Sequence, residues 1–117
     1  IYGTVGQDLN LYEETEMTEN VSYALIKGGI TNFTRLMASY YGKYKIRVNC
    51  ISPGGILDDK RREEIDKVFK KNYEKKVPLK RFGSPKDVAS GVLFLSSSNS
   101  EYITGTNLII DGGYTAL

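Results

Sequence analysis

Residues 46–56 read Ile46-Arg47-Val48-Asn49-Cys50-Ile51-Ser52-Pro53-Gly54-Gly55-Ile56. From Ile46 to Ser52 the run is rich in branched side chains, which suit a pleated surface, with Arg47 and Asn49 interrupting. Pro53 cannot donate to a ladder and the two glycines permit sharp turning, so a strand is expected to end there. A second apolar run, Leu108-Ile109-Ile110 within 106–111, closes on Asp111-Gly112-Gly113. Helical patterns fill the space between them, so the two strands are expected to lie parallel with a right-handed crossover. A two-stranded parallel sheet cannot cover both its faces and both its edges. The expected fold class is therefore α/β, with a parallel strand pair and further strands beside the first.

Upstream, residues 20–41 read as a helix. Ile26, Ile30, Phe33, Met37 and Tyr40 recur at spacings of three and four and predict one apolar stripe facing the core. Thr18 or Asn20 is expected to cap its start, and Gly42 to stop it through a left-handed residue. Residues 4–18 lack a clear period and contain the acidic cluster Glu13-Glu14-Thr15-Glu16, which predicts a loop. Downstream, Asp58 and Asp59 suit the start of a charged helix running to about Lys76, with Ile65, Val68, Phe69 and Tyr73 as its apolar stripe. Ser84-Pro85-Lys86-Asp87 predicts another helix start, with serine at the cap and proline in the first helical position. Ile1-Tyr2-Gly3 reads like the exit from a buried strand, so the chain is expected to begin inside a larger domain.

Composition narrows the chemistry. The 117 residues hold 16 basic and 14 acidic side chains, a net charge of +2, too small a bias to argue for nucleic acid or an anionic membrane. There is no histidine, which removes a Ser-His-Asp triad, a Cys-His dyad and any zinc site that needs imidazole. Cys50 is the single cysteine, so no intrachain disulfide is possible, and an inert thiol is expected rather than a nucleophile. The longest apolar stretches are too short to span a bilayer. A cytoplasmic protein is expected.

Tyr23 and Lys27 lie four apart in the first helical segment, so their side chains leave on one side. A phenol is a poor acid or base at neutral pH, and an ammonium held beside it favours the phenolate. Such a pair can deliver or take a proton at an alcohol or carbonyl oxygen. The spacing alone is weak evidence. With 9 tyrosines and 11 lysines, chance supplies roughly one match, and Tyr41 with Lys45 is a second, across the expected helix end. A tyrosine packed under a solvated lysine stem is the bland alternative.

Four blocks taken together are more specific. They are Ser22-Tyr23-Ala24-Leu25-Ile26-Lys27-Gly28-Gly29-Ile30, Val48 through Ile56, Arg81-Phe82-Gly83-Ser84-Pro85, and Ile103-Thr104-Gly105-Thr106 through Gly113. In this order and spacing they resemble the C-terminal half of the short-chain dehydrogenase/reductase family. The resemblance implies that residues 1–117 form the C-terminal portion of one Rossmann-like NAD(P)-binding domain, built on a doubly wound parallel sheet. It implies an oxidoreductase that uses NAD or NADP on a small carbonyl or alcohol substrate. It also implies that Tyr23 is the catalytic acid/base and that Lys27 tunes it and hydrogen-bonds the nicotinamide ribose. Pro53 and Gly54 would line the nicotinamide, with the backbone around Ile56 reaching its carboxamide. Members commonly pair as homodimers or homotetramers, through the first helix and the last strand of this segment.

The chain departs from the family pattern in several places. It contains no glycine-rich phosphate loop, so nothing in it is expected to cradle a pyrophosphate. The family's catalytic serine is expected just before Ile1, and Ser22 is no substitute because it lies ~100° around the helix from Tyr23. Asp58 stands where the family often has threonine. The loop before Tyr23 is long, and its Leu11-Tyr12-Glu13 is similar to that of members linked to bacterial surface-sugar modification, which implies a sugar derivative as substrate. The segment from Lys60 to Lys76 reads either as a solvated face of mixed charge or as a mobile lid that attracts an anionic substrate. The chain alone is expected to be inactive. The alternative function is association only, as a non-catalytic family member.

Overall fold

The computed structural model describes residues 1–18 and 20–117. Its regular elements are helix α1 (Val21–Tyr41), strand β1 (Cys50–Pro53), helices α2 (Asp59–Glu64), α3 (Lys67–Lys76) and α4 (Pro85–Ser96), and strand β2 (Asn107–Ile110). The strands pair in parallel, Cys50 opposite Asn107 through Pro53 opposite Ile110. The α/β class and the parallel pair follow the reading of the two apolar runs.

Strand β1 is shorter than expected and displaced toward the proline. The three residues before it spend their hydrogen bonds elsewhere. Arg47 donates to the carbonyls of Leu95 (2.6 Å) and Ser97 (3.3 Å), covering the end of α4. Asn49 donates to the Ile103 carbonyl and accepts from the Thr106 N–H. The Val48 N–H goes to the Thr104 hydroxyl. The Val48 carbonyl takes the Gly105 N–H at 2.7 Å, and regular strand pairing starts where the Cys50 N–H meets the Thr106 carbonyl at 3.0 Å.

The segment from Asp59 to Lys76 is two helices rather than one. Asp66 acts as a second cap, its carboxylate accepting the Phe69 N–H at 2.8 Å as Asp58 accepts that of Arg61. A carboxylate that satisfies orphan donors in this way starts a new helix instead of continuing the old one. Phe69 and Tyr73 on α3 are buried, so α3 is anchored in the core by its aromatic face. The Arg62 side chain lies outside the described residues. Helix α4 begins as expected, with reciprocal bonds between Ser84 and Asp87 and with Pro85 in the first turn.

Helix α1 corrects three expectations. Gly42 is right-handed (φ −56°), and the left-handed residue is Lys45 (φ 59°), after a further 3-10 turn. The side chain of Asn20 caps no backbone N–H; it accepts from the Ser22 hydroxyl instead. The buried face consists of Thr31, Thr34 and Ala38, while Ile26, Ile30, Phe33 and Tyr40 are exposed. Small residues let the helix approach its neighbours, and both threonine hydroxyls are satisfied by carbonyls one turn back. The apolar stripe is real, but it points away from the rest of the chain.

The main core lies beside the ends of the strands. It comprises Leu11, Leu57, Phe69, Tyr73, Val77, Phe82 and Tyr114. The loop 4–18 is tied to it: Leu9–Tyr12 forms a 3-10 turn, Leu11 is buried, Tyr12 packs on Phe69, and Asp8 pairs with Lys76. Among the described residues no helix is long and apolar enough to cross a membrane.

Candidate active site

The turn after β1 forms the floor of the site. Pro53 ends the strand, and the Gly54 N–H continues the ladder to the Ile110 carbonyl at 2.9 Å. Gly83 then clamps the chain from the other side, donating to the Gly55 carbonyl (2.9 Å) while its own carbonyl takes the Leu57 N–H (3.0 Å). This is a parallel bridge centred on Ile56 and Gly83. In that arrangement the N–H and carbonyl of Ile56 itself point away from Gly83.

Helix α1 supplies the facing wall. The Lys27 ammonium sits 5.2 Å from the centroid of the Tyr23 ring, in cation–π range, so the expected one-sided pairing is present. Gly3 holds this part of α1 in place, because a Cβ there would lie 2.6 Å from the Lys27 carbonyl carbon and oxygen. The Ile1 nitrogen donates to the Pro53 carbonyl at 3.0 Å, which ties the 1–3 segment to the turn. Tyr23, Lys27, Pro53, Gly54 and Ile56, the five residues singled out from the sequence, line one cleft of about 300 Å³. Ile30, Ile51 and Cys50 add apolar surface, and the Cys50 thiol is free and half-buried. Tyr41 and Lys45 line none of it.

A second, smaller cleft of about 210 Å³ opens on the other side of Tyr23 and is lined by Tyr2, Gln7, Tyr12, Thr18 and Asn20. Among the described residues its wall is uncharged and rich in hydrogen-bonding groups. Burial, and then the closeness of Tyr114, pushes the Tyr2 phenol far above its ordinary value, so it stays a neutral donor. Tyr12 was marked in the sequence by the likeness of Leu11-Tyr12-Glu13 to sugar-linked family members, and Thr18 and Asn20 only as helix caps; nothing in their spacing joins positions 2, 7, 12, 18 and 20 into one wall. The length of the aperiodic loop ahead of Tyr23 was the other signal. Sequence reasoning missed Tyr73, whose buried hydroxyl accepts the Gly55 N–H.

The larger cleft fits the nicotinamide–ribose end of a dinucleotide. It offers apolar side chains for a flat ring, one ammonium for ribose hydroxyls, and the Ile56 peptide edge for a carboxamide. No glycine-rich loop for the pyrophosphate occurs in these 117 residues.

Residues 10–115 match the family described as enoyl-(acyl carrier protein) reductase. The chain is 41% identical over 95 residues to the 7alpha-hydroxysteroid dehydrogenase of Paraclostridium sordellii, covering 80% of this chain and 36% of that protein. It is 35% identical over 115 residues to glucose 1-dehydrogenase 2 of Bacillus subtilis (strain 168), covering 98% and 45%. The crystal structure of a short chain dehydrogenase from Leptospira borgpetersenii serovar Hardjo-bovis, with bound NAD+, superposes with a TM-score of 0.83 at 47% identity, covering 97% of this chain and 41% of that one. The chain thus spans less than half the length of the relatives it matches. With the Tyr23–Lys27 pair facing the Pro53–Ile56 turn and a family match over nearly its whole length, this chain belongs to the short-chain dehydrogenase/reductase family of oxidoreductases.

Proposed function

We propose that the protein carrying this chain moves a hydride between a nicotinamide cofactor, NAD or NADP, and a carbonyl or alcohol carbon of a hydroxyl-rich, sugar-like substrate. One observation carries the reading: Tyr23 is the shared wall of two clefts, one suited to a nicotinamide and one lined by neutral hydrogen-bonding side chains. A proton donor at that boundary stands between the two reactants. Among the described residues the wall consists of the uncharged Tyr2, Gln7, Tyr12, Thr18 and Asn20, which match hydroxyl groups better than a steroid.

On this reading the Tyr23 hydroxyl gives its proton to the carbonyl oxygen in reduction and takes it back in oxidation. The Lys27 ammonium sets positive charge over the ring on which negative charge develops, and its N–H donors serve the ribose hydroxyls. Pro53 and Gly54 wall the nicotinamide, and the Ile56 main chain holds its polar edge. When bound, the cofactor supplies or takes up the hydride.

We read residues 1–117 as the C-terminal portion of a single NAD(P)-binding domain. The radius of gyration is 15.9 Å, where a compact chain of this length has about 13 Å, and α1 exposes its apolar stripe. Both features support the reading, as does the coverage of the relatives. Leu25, Ile26, Phe33 and Leu36 on that helix also favour a homodimer or homotetramer. The same exposure favours a second reading, in which the protein acts through association alone.

One assay separates the two readings. The full-length protein and its Tyr23→Phe variant are tested for NADH and NADPH oxidation against sugars and other carbonyl compounds. Loss of kcat by about 10²–10⁴-fold in the variant, with cofactor affinity kept, is the expected result. Equal rates would remove Tyr23 from the mechanism, and no turnover by either protein favours association.

A further inference from the structure

Tyr73 lies outside both clefts, yet it touches the turn that forms the floor of the larger one. Its hydroxyl accepts the N–H of Gly55, 18 residues earlier in the chain. The side chain is 3% exposed, and its ring is stacked between Phe82 (centroids 4.2 Å apart) and Tyr114 (5.5 Å). Both glycines of the turn are needed for this approach. A Cβ on Gly54 would lie 2.8 Å from the Tyr73 oxygen, and one on Gly55 would lie 2.8 Å from Tyr73 Cζ and 2.7 Å from Phe82 Cε1. The turn is therefore held from three sides: the Gly54 N–H by the Ile110 carbonyl, the Gly55 N–H by Tyr73, and the Gly55 carbonyl and Leu57 N–H by Gly83. Of these, only the Tyr73 bond comes from a side chain, and it comes from a helix anchored in the core.

We infer that Tyr73 is a positioning residue that holds the 53–56 turn in its cofactor-binding shape. The inference rests on the reading of that turn as the nicotinamide wall. An ordered turn binds without first losing freedom, whereas a turn whose Gly55 N–H has lost its partner must be ordered by the ligand. Burial pushes the Tyr73 phenol up, so it remains protonated and its oxygen acts on Gly55 as a neutral acceptor. Tyr73 never touches the reacting atoms, so its removal weakens cofactor binding and spares the chemical step.

The test uses the full-length protein, with NADH and NADPH as probes and calorimetry for Kd. Tyr73→Phe keeps the ring and removes only the oxygen. Its cofactor Kd and KM are expected to rise about five- to tenfold, the worth of one hydrogen bond, with kcat within about twofold. Replacing Tyr73 by 3-fluorotyrosine keeps shape and hydroxyl but weakens the acceptor, and should shift Kd in the same direction by about two- to threefold. Phe69→Leu, in the same aromatic cluster but away from Gly55, should lower Tm and leave cofactor Kd unchanged. An unchanged Kd in both Tyr73 replacements overturns the inference, as does a rise in Phe69→Leu that matches its loss of Tm. Failure of the wild-type protein to bind either dinucleotide overturns the inference together with the reading beneath it, whereas wild-type binding with unaffected Tyr73 variants overturns the inference alone.

Discussion

Gly3 meets the main chain of Lys27 and Gly28 so closely that a methyl group there has no room, and the atoms in the way are backbone. Gly3→Ala in the full-length protein is therefore expected to cost about 1–3 kcal/mol in urea unfolding, the usual penalty for overpacking. It should also lower kcat, because α1 must shift at Lys27. An unchanged unfolding midpoint would show that the 1–3 segment moves aside freely. At the same scale, Tyr23 and Lys27 were legible as a pair because helical spacing fixes their relative direction, whatever surrounds them. Pro53, Gly54 and Ile56 were legible only as a turn. Their meeting with Tyr23 rests on a contact between segments about thirty residues apart.

The elements follow their caps more than their apolar stripes. Ser84 and Asp87 bond each other's backbone N–H groups, and Ser84→Ala is expected to destabilise α4 by about 1 kcal/mol, measured by chemical denaturation. Asp66→Ala should cost a similar amount by releasing the Phe69 N–H at the start of α3. The end of β2 is held by Asp111, which accepts from Gly113 (2.8 Å), the Thr115 N–H (2.8 Å) and the Thr115 hydroxyl (2.7 Å). Burial pushes this carboxyl up, but the bonds from Thr115 and Gly113 outweigh it and hold it below the usual range. A depressed carboxyl adds stability that is present above its ordinary value of 3.8 and is lost as the pH falls toward its lower folded value. Asp111→Asn should therefore flatten the acid limb of a plot of Tm against pH below about 4 and leave its slope near neutrality unchanged. The break between α2 and α3 was hidden in the sequence because Ile65, Val68, Phe69 and Tyr73 fit one helical stripe, while the cap at Asp66 depends on a single side-chain rotamer.

For the molecule as a whole, extents of 51 × 27 × 26 Å describe an elongated body whose longest helix turns its apolar side chains outward. The family's dinucleotide needs a pyrophosphate cradle, and these residues contain none. Calorimetry on the 117-residue chain alone should accordingly detect little or no NADH binding, while the full-length protein is expected to bind it. Tight binding by the short chain would refute the assignment of these residues as one portion of a domain.

Several features were dictated by local order along the chain: branched residues ending in Pro-Gly-Gly, a Ser-Pro-Lys-Asp helix start, and a tyrosine one helical turn before a lysine. Each depends on backbone sterics or on spacing within a few residues, which the sequence states directly. The parallel pairing of β1 with β2 followed from the helices between them. Only the tertiary structure decided which face of α1 is buried, because small residues permit close approach and an apolar stripe does not say what will cover it. The polar wall on the far side of Tyr23 and the grip of Tyr73 on Gly55 were also decided there. Both join residues through space that share no period, and contacts of that kind exist only once the chain has closed on itself.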